Sequence, residues 1–173
     1  MSRSECIIVK KPTECSDAEL ERFVNLVCTG GEVAASGLEI RVRNAAKFLV
    51  FMTEEQHLMG VAALKQPLPN YRRSVSEKAG VALETSAFPY ELGWVHVIPS
   101  ARSRGFSHKL VSAAIAAVGG MGMFATSRMD NVRMHRTLER SGFVRSGLPY
   151  VSSRGNYKLQ LFLRHTTQFG ASV

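Results

Sequence analysis

The chain has 173 residues, 45% of them hydrophobic and 21% charged, with a formal net charge of +8. That is ordinary globular composition, enough for a single domain over residues 1–173 and too short for two ordinary ones. No apolar run approaches the ~20 residues of a membrane span, and no charged-then-apolar leader opens the chain, so no membrane partner is expected and a cytoplasmic setting is the default.

Cys6–Val9 is a short β-like run. Ser16 with Glu19 three residues on is a capping box, and Leu20, Phe23, Val24 and Val27 then recur at helical spacing up to Gly30-Gly31. A second helix is expected over 32–45, interrupted in propensity by Gly37. Lys47–Thr53 and Leu58–Lys65 are predicted strands around the polar turn Glu54-Glu55-Gln56. The stretch 67–89 contains Pro, Asn, Ser and Gly without sustained periodicity, and is expected as a long loop of the kind used for lids or binding. Tyr90–Ile98 is a strand ended by Pro99, followed by a helix with a buried face at Phe106, Leu110, Val111, Ala114, Ile115 and Val118 that stops at Gly119-Gly120. Met121–Thr126 is a strand, Asn131–Ser141 a helix closed by Gly142, and Phe143–Gly147 and Tyr157–Arg164 the last strands. Cys6, Cys15 and Cys28 lack CxxC or zinc spacing and are expected as reduced thiols. No His pair has metal-ligand spacing, HExxH is absent, and no metal is expected; GxxxxGK[ST] is absent too.

Charge divides the chain. Residues 1–90 balance 11 Lys/Arg against 11 Asp/Glu, whereas residues 91–173 hold 11 Lys/Arg and only Glu91, Asp130 and Glu139. The basic half contains Arg102-Ser103-Arg104-Gly105-Phe106-Ser107, a glycine-containing loop that runs into a helix. Consecutive backbone amides at a helix start, with the positive end of its dipole, suit a phosphate or pyrophosphate. Gly105 removes a side chain where the backbone approaches the anion or takes a positive φ, and the arginines add charge. A basic surface also suits nucleic acid, but no RNP, zinc-finger or KH pattern accompanies it, so nucleic acid is not the favoured partner.

Val97-Ile98-Pro99 followed by this loop resembles the acetyl-CoA motif of the GCN5-related N-acetyltransferases, Arg/Gln-x-x-Gly-x-Gly/Ala, with Ser107 in the last small-residue slot. Asp130-Asn131 through Gly142-Phe143 resembles that family's Asn, short helix and Gly-Phe element, so the likeness covers about residues 90–145. The resemblance implies a single-domain α/β (mixed α+β) fold: a splayed mixed sheet flanked by helices, with acetyl-CoA as co-substrate. It implies main-chain bonds from Trp94, Val95 and Val97 to the pantetheine arm, a pyrophosphate held by Arg102, Ser103, Arg104, Gly105, Phe106 and Ser107, and a bond from Asn131. It also implies direct acetyl transfer to a primary amine of a small molecule, amino acid or peptide.

Glu91 is the candidate base by the same resemblance; the other reading is a strand-end glutamate paired with a basic neighbour. Many relatives carry a tyrosine as proton donor four residues before the Gly of Gly-Phe, where this chain has Leu138. Tyr150 and Tyr157 are the candidate substitutes, against simple packing roles. His96 is expected in the core or its rim, His108 and His135 on solvated helix faces, Trp94 in the strand core, and Arg72-Arg73 in solvent. Two alternatives stand beside catalysis of this kind: a non-catalytic CoA- or nucleic-acid-binding protein, and a toxin-type enzyme acetylating aminoacyl-tRNA. The acceptor's identity is not legible.

Overall fold

A computed structural model describes residues 4–167. Seven strands make one sheet in the order β1-β2-β3-β4-β5-β7-β6. They are β1 (Glu5–Lys10), β2 (Ala46–Glu54), β3 (His57–Lys65), β4 (Tyr90–Val97), β5 (Met123–Arg128), β6 (Val144–Val151) and β7 (Lys158–Arg164). The helices are α1 (Asp17–Thr29), α2 (Leu38–Ala45), α3 (Pro69–Ala79), α4 (Phe106–Ala116) and α5 (Val132–Arg140).

Alternation along the strands sorts the core into layers. Val50 and Met52 of β2, Ala62 and Leu64 of β3, and Phe162 of β7 pack with Leu110, Val111 and Ala114 of α4 and Leu138 of α5. On the other face the packing divides in two. Leu49, Phe51, Val61 and Ala63 meet α1 and α2, while Phe124, Leu161 and Leu163 meet α3. Between these two clusters lie β4 and β5, and the sheet is weakest there. Every other neighbouring pair is antiparallel, but β4 and β5 are parallel and share only Tyr90↔Met123 and Glu91↔Phe124. Beyond Glu91 the two strands continue without pairing, and the sheet opens.

Local chemistry accounts for most boundaries. The capping box opens α1: Glu19 N donates to Ser16 Oγ at 3.2 Å and Ser16 N to Glu19 Oε2 at 2.8 Å, worth about 1 kcal/mol. The second helix starts only at Leu38, because Gly37 stands before it with φ +66°. β6 runs on to Val151 rather than Gly147 and β5 to Arg128 rather than Thr126, while β7 starts at Lys158, one residue after its expected start, and ends at Arg164 as expected.

Three expectations are overturned. The stretch 67–89 contains an eleven-residue helix, α3, opened by Pro69 and closed by Gly80 at φ +67°. Arg72 is not in solvent: its guanidinium is buried, donates to the carbonyls of Leu83, Phe88 and Pro89, and lies 5.4 Å from the centre of the Phe124 ring. His135 is likewise buried rather than solvated, and its Nε2 donates to Arg128 O at 2.8 Å. Among the described residues no helix is long and apolar enough to cross a membrane.

Candidate active site

The opening between β4 and β5 is shaped by a bulge. Val61 faces His96 and Ala63 faces Gly93, so Trp94 and Val95 together oppose Ala62. Trp94 takes φ +51°, a left-handed conformation that costs a non-glycine residue about 1–2 kcal/mol. Its ring is held by an edge contact to Phe23, centroids 6.4 Å apart, and by Lys65 Nζ 5.1 Å from its centre. Trp94 thus packs as expected, but at a backbone kink that hydrophobic alternation does not announce. Past Glu91, the edge of β4 that looks toward β5 has no strand to pair with, and Trp94, Val95 and Val97 lie on that stretch.

The basic loop leads into α4 as the spacing implies. Ser103 at φ +63° and Gly105 at φ +80° turn the chain. Gly105 is the N-cap of α4, and no side chain caps the helix, which leaves the amides of its first turn available. The two arginines are engaged elsewhere. Arg102 Nε donates to Val97 O at 3.3 Å. Arg104 pairs with the buried Glu54 carboxylate and lies 4.5 Å from the Phe106 ring centre. That hydrogen-bonded pairing raises the Arg104 pKa. What Arg104 offers an anion is its amide. Asn131 Oδ1 accepts from Met134 N at 3.1 Å and caps α5, leaving its own amide group free of that bond.

Glu91 is 4% exposed and both carboxylate oxygens are occupied. Oε1 accepts from the Tyr71 hydroxyl at 2.9 Å, and Oε2 lies 3.0 Å from Lys65 Nζ. Register explains the second contact, since Lys65 is the Cα partner of Glu91 across β3 and β4. Gly93 gives the lysine stem its path, as a Cβ there would stand 2.6 Å from Lys65 Cε. Tyr71 comes from α3, inside the stretch expected to be loop, and is the site residue that sequence reasoning missed. Burial and the Glu91 charge push its phenol well above the usual tyrosine range. The same causes, burial first, push Tyr150 up to about 12.

Leu138 is fully buried in the core. The ring of Tyr157 is stacked beneath Arg128, whose Cζ lies 3.9 Å from its centre, while Arg128 Nε reaches Glu32 Oε2 at 2.6 Å. His96 is half-buried, with Nε2 3.5 Å from Thr29 Oγ1; burial and the nearby Arg102 charge lower its pKa. A continuous cleft of about 450 Å³ joins these groups, running from the cap residue Asn131 and Met134 of α5 past Glu91, Tyr71 and Tyr150 to the loops after α1 and β6. It therefore passes through the sheet, from the α4–α5 side to the α1–α3 side.

A sheet that parts to admit a ligand's extended arm, with an uncapped helix behind the parting, is the architecture of an acyl-CoA-using transferase. The acetyltransferase (GNAT) family profile matches residues 14–143, and the chain belongs to that family, whose members are acetyltransferases using acetyl-CoA. The fold is similar to a putative acetyltransferase of the GNAT family from Desulfovibrio desulfuricans, at 17% identity and TM-score 0.68 over 95% of this chain and 100% of that one. It is similar to yncA of Salmonella typhimurium, a putative acetyltransferase solved with its cofactor acetyl-CoA, at 16% identity and TM-score 0.62 over 98% of each chain. It also resembles the ribosomal-protein-S18-alanine N-acetyltransferase of Escherichia coli, at 11% identity and TM-score 0.66 over 97% of this chain and 99% of that one. A comparison with curated proteins finds no match.

Proposed function

We propose that this acetyltransferase passes the acetyl group directly to a primary amine held in the cleft beside Glu91 and Tyr71. The observation that carries the reading is a buried carboxylate at the last paired rung of β4 and β5, hydrogen-bonded to a phenol at the point where the sheet opens. Acetyl-CoA supplies an activated thioester: the amine nitrogen bonds to the carbonyl carbon, the carbon–sulfur bond breaks, and sulfur leaves as thiolate.

The remaining work is proton handling and alignment, which falls to side chains of this chain. The amides opening α4, together with those of Ser103, Arg104 and Gly105, hold the pyrophosphate. The free edge of β4 at Trp94, Val95 and Val97 aligns the pantetheine arm and polarises the carbonyl, and Asn131 contacts the arm from the far wall. Glu91 accepts the proton lost by the amine. Because both its oxygens are engaged, that proton arrives through the Tyr71 hydroxyl or a water. Tyr150, a neutral phenol over the whole ordinary pH range, returns a proton to the thiolate in the absence of a tyrosine at Leu138. Tyr157, under the Arg128 guanidinium, is assigned to positioning. The free thiols of Cys6, Cys15 and Cys28 support a reducing, cytoplasmic setting.

Thiol release from acetyl-CoA, followed with a panel of primary amines, tests the reading. Amine-dependent release with a mass gain of one acetyl group on the amine is the expected result. Acetyl-CoA that binds but releases no thiol with any amine would refute it.

A further inference from the structure

We infer that the acceptor is a small amine that also carries an anionic carboxylate or phosphate, recognised by Lys78 and Arg154; this rests on the transfer reading above. The charges along the cleft carry the inference. Both of its acids are already matched: Glu91 by Lys65 at 3.0 Å and Glu32 by Arg128 at 2.6 Å. Arg41, Lys78 and Arg154 line the same cleft with no acidic partner among the described residues. Arg41 spends donors on the carbonyls of Ala34 and Ser36. Lys78 and Arg154 have no side-chain partner among the described residues.

These cations are not placed for the phosphates of the co-substrate. The uncapped start of α4 serves those, and α4 packs on the opposite face of the sheet from α3, which bears Lys78. Arg154 sits in the loop after β6, just beyond Tyr150, which packs with α3. A polycationic acceptor would find no free carboxylate here for its second ammonium, and would meet two unpaired cations. An anionic group beyond the amine finds a lysine point charge and an arginine fork suited to carboxylate or phosphate oxygens. The cleft of about 450 Å³ must also receive the thioester end of acetyl-CoA, which leaves room for an acceptor of amino-acid size.

Matched pairs of amines decide the matter: O-phosphoethanolamine against ethanolamine, and β-alanine against β-alaninamide, with spermidine as the cationic comparison. With acetyl-CoA saturating, the anionic member of at least one pair should have a kcat/KM higher by roughly tenfold or more, through KM. The two pairs separate phosphate from carboxylate. Lys78→Glu and Arg154→Glu should erase that preference, whereas Arg73→Glu, the same reversal on α3 outside the cleft, should keep it. A preference for the neutral amines or spermidine, or one indifferent to both reversals, overturns the inference while leaving acetyl transfer standing. If no amine is turned over, calorimetric titration of phosphoethanolamine and β-alanine into the protein–CoA complex still decides. Binding lost in Arg154→Glu upholds the anion site although transfer fails, and absence of binding overturns it. Acetylation confined to a peptide terminus or an aminoacyl-RNA, with all the small amines inert, also overturns it.

Discussion

Glu91 sits where it does because of register: the last rung joining β4 to β5 is also the rung that faces Lys65 on β3. If it takes the amine proton, Glu91→Gln should lower kcat by about 10²- to 10⁴-fold with acetyl-CoA affinity retained, and the deficit should shrink at alkaline pH, where more amine is already free. Steady-state rates and calorimetric affinities for the same variant check both halves. Tyr150 carries a second consequence. Its phenol ionises near pH 12 in the folded chain against about 10 when unfolded, so the unfolded state releases the proton first as pH rises. The stability this group contributes is complete below about pH 10 and is lost between about pH 10 and 12, and Tyr71 acts in the same direction. Urea midpoints taken from neutral to strongly alkaline pH should therefore fall less steeply for Tyr150→Phe than for the parent. The proposed acid role predicts that this variant also loses about tenfold or more in turnover, while Tyr157→Phe loses less. At Gly105 a Cβ would meet nothing within 4 Å, yet φ is +80°. The cost of Gly105→Val is thus strain at that angle, about 1–2 kcal/mol, together with a weaker grip on acetyl-CoA, whereas Lys109→Ala on the next turn of the helix should leave that grip intact. Isothermal titration of the two variants separates shape from charge.

At the scale of elements, α3 has the most to teach. Its inward positions are Arg72, Val75 and Ala79, so the first of three buried sites is occupied by the most polar side chain available. An i, i+3, i+7 stripe beginning with arginine, between Pro67 and a Gly80 stop, gives almost no hydrophobic signal. The guanidinium substitutes for an apolar residue by tying down the carbonyls of the segment that follows the helix. Arg72→Ala should cost about 2–4 kcal/mol, because those carbonyls are left without donors. Arg73→Ala, one residue on and exposed, should stay within about 0.5 kcal/mol. Denaturant midpoints of the pair measure the contrast. Missing α3 meant missing Tyr71, so the part of the site that binds Glu91 was not legible in the sequence. By contrast, the capping box of α1, the Gly105 turn and the α4 stripe were legible, since each depends on residues close in the chain. The bulge at Trp94 was not, because a non-glycine residue carries the positive φ and only its packing against Phe23 and Lys65 reveals why.

For the whole molecule, ligand and fold are thermodynamically coupled. Acetyl-CoA at about 100 times its dissociation constant should add about 2.7 kcal/mol to stability, raising Tm by roughly 5–10 °C for a chain of this size. A scan of Tm against ligand concentration checks this. The charge excess of residues 91–173 should make the shift smaller at high salt, as screening shortens the reach of the basic field.

Two rungs of hydrogen bonds are all that stitch β1–β4 to β5–β7. Within the sheet, the chain behaves as two plates with a short seam, held otherwise by the helices that lie across it. Such a seam is a place where opening should be easier than global unfolding. In deuterated solvent those amides of residues 92–97 that face β5 should exchange far sooner than their neighbours that face β3, and sooner than the amides between β2 and β3, whose pairing is extensive. An acetyl-CoA arm bonded along the same edge would act as a borrowed strand, lengthening the seam and slowing those amides selectively. The co-substrate would then be, for as long as it stays, a structural part of the sheet it enters.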